Sequence, residues 1–209
     1  MTGPLLRSVQ PLFASPLLRF VVPEAAAMNA RIMAEVAAMR VASPGLARSN
    51  QHGWHSALDF FERAEPGCAA LRGHILVAAR EAALALAPGF DLATVAVQAE
   101  GWINGNGPSA YNAPHEHPGW TLSGTYYVSM PTMSAGRGGM IEFLDTRMGV
   151  SVFGLAGAES FASKHTLRPA AGDLILFPCW LKHWVYPNEA AEERVSVAFN
   201  LRFVPRART

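Results

Sequence analysis

Past Thr94 the chain changes texture, and that change limits the fold more than any other feature of the sequence. Before it, apolar residues recur at helical spacing. After it, they come in short runs bounded by Gly, Pro and Asn. The runs fall near residues 94–104, 113–117, 121–129, 139–144, 165–169, 173–177, 183–186 and 194–203. Short strands in such succession read as a sandwich or barrel of jelly-roll type, mainly β. The stretch 149–163, rich in Gly, Ala and Ser, is the least strand-like part. The reading is therefore a single domain over 1–209, with a strand and helical support region at 1–93 and a barrel core at 94–204.

The support region carries two main helices. Residues 9–22 alternate enough for one or two short strands. Pro23 and Glu24 then open a helix, with proline early and an acid in the first turn. Met28, Ile32, Val36 and Met39 keep helical spacing, and Ser43-Pro44-Gly45 stops it. A second helix runs from Pro66 to about Ala87, with Leu71, Ile75, Ala79, Ala82 and Leu86 on its buried face. Between the two, Ser49 to Ser56 is polar and irregular. It reads as a surface loop in which Ser56 caps a short helix through Arg63, rather than as a lid.

Composition excludes several classes of function. The chain has 209 residues, half of them apolar and only 16% charged, which suits a packed domain and not a disordered one. A net charge of +1 gives no electrostatic reason to expect nucleic acid or an anionic membrane. No apolar run approaches the about 18 residues of a membrane span. The apolar N-terminus is broken by Arg7, Pro11, Pro16 and Arg19, unlike a secretory signal. Cys68 and Cys179 imply no disulfide framework, so a cytoplasmic location is expected.

Chemistry gathers in the second half. In Pro114-His115-Glu116-His117-Pro118, strand parity points both imidazoles to one face and the glutamate away. By themselves the two fit a metal pair or exposed turn histidines equally. His183 follows the apolar run Leu174 to Phe177, where a polar ring needs either a ligand role or a hydrogen-bond partner. Arg194 and Ser196 alternate with Val195 and Val197. An arginine pointing into a barrel needs an anion. One at the strand's open start would instead pair with Glu192 or Glu193.

The order of these features resembles the Fe(II)/2-oxoglutarate-dependent dioxygenases, in particular the prolyl-hydroxylase-like branch and its bacterial and phage oxygenase group. The resemblance rests on Trp102-Ile103-Asn104, Ser123 to Val128, Gly139 to Phe143, Pro169 to Pro178, His183 and Arg194 to Asn200. It implies a double-stranded β-helix fold, Fe(II), 2-oxoglutarate as cosubstrate and dioxygen. His115 and His183 would ligate the iron. Arg194 and Ser196 would bind the distal carboxylate of 2-oxoglutarate, with Tyr127 and Thr125 on the facing strand. Asn104 would lie near the chelating end of the cosubstrate and Trp102 near the substrate. The chain departs from the usual HxD/E pattern at His117, which makes a three-histidine site; Glu142 and Asp145 are the alternative carboxylates. Trp54 and Trp120 are further candidates for the substrate wall.

The implied activity is hydroxylation coupled to decarboxylation of 2-oxoglutarate, on a small-molecule or peptide substrate. Three histidines also suit a zinc hydrolase or a cupin-like site. A barrel that binds a ligand without catalysis is a third reading. A homodimer stays open.

Overall fold

Two antiparallel sheets face each other, one of them carrying both helices on its outer side. The computed structural model describes residues 7–8, 12–132, 135–147 and 162–206. In chain order the elements are β1 (Leu18–Val21), α1 (Ala25–Ala42), β2 (Asn50–Gln51), β3 (Trp54–His55), α2 (Pro66–Leu86), β4 (Val95–Asn106), β5 (Tyr111–His115), β6 (Leu122–Ser129), β7 (Ile141–Leu144), β8 (Lys164–Leu167), β9 (Asp173–Pro178), β10 (His183–Val185) and β11 (Arg194–Pro205). The major sheet runs β1-β9-β6-β11-β4-β3 and the minor sheet β2-β5-β10-β7-β8. This is the double-stranded β-helix arrangement expected for residues past Thr94. The Gly-, Ala- and Ser-rich stretch lies largely outside the described residues, as do residues 9–11.

The strands of the major sheet are buried on both faces, and period-2 alternation decides which residue meets which layer. On β11, Val195, Val197, Phe199 and Leu201 pack toward the helices, while Arg194, Ser196 and Ala198 line an internal cavity. On β9, Leu174 and Leu176 join the helix layer, and Ile175 and Phe177 join a second core between the sheets with Tyr127, Ile141, Phe143 and Val185. β4 and β11 pair without a break from Arg194↔Asn106 to Pro205↔Val95. That ladder is the rigid backbone of the site.

The helices form where periodicity placed them. Met28, Ile32, Val36 and Met39 of α1 are buried, as are Leu71, Ile75, Ala79 and Ala82 of α2. Glu35 of α1 accepts the Gly67 and Cys68 backbone N–H groups at 2.6 and 3.0 Å, satisfying donors that the start of α2 leaves free. Gly67 is needed there, because a Cβ would come within 2.9 Å of the Ile32 backbone nitrogen. Leu86 differs from expectation: it is 44% exposed. It sits in the last turn of α2, beside an open apolar groove with Phe90 and Phe203. No described helix is long and apolar enough to cross a membrane.

The segment 49–56 also differs from the surface loop expected. Asn50 pairs with Asn112 of the minor sheet, and Trp54 with Gly105 of the major sheet, so the segment ties the two sheets together. Asn50 holds its turn by accepting from the Arg48 N–H and donating to the Leu46 and Gly53 carbonyls. Ser56 caps no helix; its hydroxyl accepts from the Ile103 N–H and donates to the Ala57 carbonyl. The short helix is a single 3₁₀ turn at Phe60–Glu62. Two-residue strands carry no periodicity, which is why the sequence pattern does not reveal them.

Candidate active site

Three histidines converge at the ends of short strands. His115 closes β5 and lies in register with His183, which opens β10. His117 is outside the strand expected to hold it. The turn at Pro118-Gly119, with Gly119 at φ 90, ends β5 early, and the His117 N–H donates to the Cys179 carbonyl. Parity therefore does not bring His117 to His115; the turn does. Ring centroids are 4.9 Å apart for His115 and His117, 4.5 Å for His115 and His183, and 5.3 Å for His117 and His183. One nitrogen from each can be chosen so that all three lie within 4.8 Å of one another.

Hydrogen bonds aim the rings. His115 Nδ1 meets the Ala113 carbonyl at 2.6 Å, and His183 Nδ1 meets the Leu181 carbonyl at 2.9 Å. A carbonyl only accepts, so Nδ1 carries the proton and Nε2 keeps a lone pair for a ligand. Burial disfavours the charged forms. It lowers the pKa of His117 to about 4 and of His183 to about 3, and that of His115 falls in the same direction. Three neutral, convergent imidazoles fit a divalent metal. Neither alternative carboxylate joins them. Burial would raise the Glu142 pKa, but bonds from Tyr186, Thr166 and Trp184 outweigh it, and Lys164 lies 3.4 Å away. Asp145 binds Arg147.

The same cavity contains a cation without an anion. Arg194 is 1% exposed, and among the described residues it donates to Ser196 Oγ at 3.1 Å. Its Nε has no partner. The surface ion pair open to it on sequence grounds is not formed, because Glu193 accepts from Arg40 at 2.7 Å. The Arg194 guanidinium lies 5.1 Å from the Tyr127 ring centre. Burial raises the Tyr127 pKa to about 12 against the pull of Arg194, and its hydroxyl has no well-formed partner. Asn104 Oδ1 is also buried and unpaired. These groups share one face by register: Ser196 pairs with Asn104 on one side and Tyr127 on the other, and Ala198 with Trp102 and Thr125. Buried polar groups with no partner are rare, and a cluster of them around a buried cation marks an anion's place.

Of the residues expected at the site, His115, His117, His183, Arg194, Ser196, Asn104, Thr125 and Trp102 line one cavity. Tyr127 packs beneath Arg194. Trp54 does not reach the cavity: its indole N–H donates to the Ser43 carbonyl, and the Arg40 guanidinium lies 5.0 Å from its ring centre. Trp120 likewise stacks under Arg202. Three residues escaped sequence reasoning. Ser49 and Asn112 line the cavity, and His55 stacks on Trp102 at 5.5 Å, while Trp102 leans on His117 at 5.8 Å. Asn112 sits on β5 just before His115; Ser49 has no local signal at all.

A family profile described as "Putative 2OG-Fe(II) oxygenase" matches residues 100–200, the stretch that supplies every histidine of the triad and the buried arginine. Residues 100–200 are thus similar to the 2OG-Fe(II) oxygenases. Among solved structures, the fold is similar to a Pseudomonas putida prolyl-4-hydroxylase at 18% identity, covering 91% of this chain and 93% of that one, with a TM-score of 0.61. It is similar to a Trichoplax adhaerens prolyl hydroxylase in complex with a hypoxia inducible factor peptide fragment at 13% identity, 89% and 83% coverage, and a TM-score of 0.59. It is also similar to the epimerase SnoN in complex with Fe3+, alpha ketoglutarate and nogalamycin RO, at 16% identity, 92% and 82% coverage, and a TM-score of 0.62. No curated protein matches at the sequence level. The stretch similar to the iron and 2-oxoglutarate oxygenases is thus the one that contains the three-histidine cluster.

Proposed function

We propose that this oxygenase hydroxylates an unactivated C–H bond of a small-molecule or peptide substrate. His115, His117 and His183 would hold Fe(II), and Arg194 with Ser196, Tyr127 and Thr125 would hold the distal carboxylate of 2-oxoglutarate. When bound, iron, 2-oxoglutarate and dioxygen supply the oxidising power, with succinate and carbon dioxide as coproducts. The residues have separate tasks. The Ala113 and Leu181 carbonyls keep two imidazoles in the ligating tautomer. The guanidinium offers a planar fork to a carboxylate. Trp102 and Phe177 form apolar wall that excludes water. Asn104, with its unpaired oxygen, would steady the chelating end. Of the similar structures, one holds a peptide and another nogalamycin RO, which keeps both substrate classes. The chain is read as one domain in a cytoplasmic protein.

The observation that carries this reading is Arg194, a fully buried cation with no carboxylate partner among the described residues, in the same cavity as three convergent neutral imidazoles. A zinc hydrolase would have no use for it. Anaerobic addition of Fe(II) and 2-oxoglutarate should produce a weak visible charge-transfer band, and air should then yield succinate. If the metal-loaded protein shows neither, the proposal is wrong; oxygen-independent ester hydrolysis in its place would establish the hydrolase.

A further inference from the structure

The cavity of this oxygenase contains cationic and neutral groups only. Among the described residues that line it, none is Asp or Glu. The nearby carboxylates are engaged or point elsewhere. Glu116, between two of the histidines, is exposed. Asp173 lies 3.8 Å from Arg19, Glu193 pairs with Arg40, and Glu142 is held by Lys164, Thr166, Trp184 and Tyr186. Glu100 accepts from Asn200.

A divalent ion and the Arg194 guanidinium bring three positive charges into this cavity. Three neutral imidazoles add none, and 2-oxoglutarate returns two negative charges. One positive charge remains. In the arrangement with a carboxylate among the metal ligands that charge is cancelled by the protein. An uncompensated charge in a poorly solvated site is expensive, so the loaded cavity favours one more anion. The wall not used by the cosubstrate is suited to receive one. Ser49 offers a hydroxyl, and Asn112 a polar amide held in place through its bond to Asn106. Trp102, backed by His55 and leaning on His117, lines the same cavity.

Resting on the three-histidine oxygenase reading, we propose that the substrate is a monoanion, a molecule whose carboxylate enters the cavity and supplies the charge that no metal-binding side chain supplies. His117 thus sets substrate class as well as holding metal.

The test uses the full chain with Fe(II) and 2-oxoglutarate under strict anaerobiosis, reading the charge-transfer band and not turnover. The probes are acetate, its neutral counterpart acetamide, and chloride. Acetate should shift the band saturably and acetamide should not. His117→Asp, which returns the missing negative charge, should still form the band but bind acetate roughly tenfold to hundredfold more weakly, as expected for one unit charge at a few ångströms. Ser49→Ala should weaken acetate several-fold and leave the band intact. A wild-type band indifferent to acetate, or an equal response in His117→Asp, overturns the monoanion proposal and leaves the oxygenase standing. A response to chloride alone also overturns it, because the charge is then met by a free halide. Absence of the band in the wild-type protein removes the oxygenase reading and this proposal with it.

Discussion

The two halves of the cavity are built in opposite ways. The anion side rests on β4, β6 and β11, long strands buried on both faces and paired in unbroken register for most of their length. The metal side rests on the ends of β5 and β10 and on a turn; β10 has only three residues, and its register with β5 shifts between His183 and Val185. The first half is rigid because its ladder is continuous. The second is aimed by individual bonds, from Nδ1 to a carbonyl and from the His117 N–H to Cys179. It follows that the anion side tolerates loss of a side chain without moving its neighbours, whereas the metal side depends on each contact.

The largest expected effect is on the metal side. His183→Ala should lower Fe(II) affinity by more than ~100-fold, since removing even an outer partner of a ligand typically costs 10–100-fold. Metal titration of the purified protein checks it. Retention of near-wild-type affinity would show that His183 is only a buried core histidine.

Arg194→Met is the converse. Truncating one side of a buried charge pair costs 2–5 kcal/mol, so 2-oxoglutarate should bind at least about 30-fold more weakly, with Fe(II) binding unchanged. The ligand-free protein should also melt at the same or a higher temperature, because the substitution removes a buried cation that has no anion among the described residues. Equal losses of metal and cosubstrate binding would mean that the two halves are one mechanical unit after all.

This contrast also explains what could be read from the sequence. Strands past Thr94 were legible because two-sided burial makes short apolar runs, and Arg194 and Ser196 stand out as polar residues at alternate positions within one. The histidines were legible by residue type, yet the geometry that unites them was not. Parity assigned His117 to a strand that the Pro118-Gly119 turn ends two residues earlier. The wall made by 49–56 was invisible, since strands of two residues leave no pattern and Ser49 reaches the cavity only through long-range pairing. Trp54 was misplaced for a related reason. Its indole is held away from the cavity by the Ser43 carbonyl and by Arg40. That side chain occupies the space over Gly105 where a Cβ would sit, and reaches on to Glu193.

The smallest expected effect concerns pH and again separates the two sides. Between pH 4 and 8 the anion side does not titrate. Burial raises the Tyr127 pKa to about 12; it lowers that of Arg194 against the pull of Tyr127, and a guanidinium keeps its proton over this range. On the metal side, burial holds His117 at about 4 and His183 at about 3, below the ordinary imidazole value of 6.5, and shifts His115 and His55 the same way. Their neutral forms are favoured by folding, so the unfolded chain binds more protons below pH 6.5. The stability they contribute is complete above about 6.5 and is lost as pH falls through the folded values. The metal-free protein should therefore melt several degrees lower at pH 4.5 than at pH 7.5, at roughly 2–4 °C per kcal/mol for a chain of this size. His183→Gln should flatten that slope, and Arg194→Met should leave it as it is. A slope untouched by His183→Gln would place the acid sensitivity outside the triad and break the division of the cavity into a titrating and a non-titrating half.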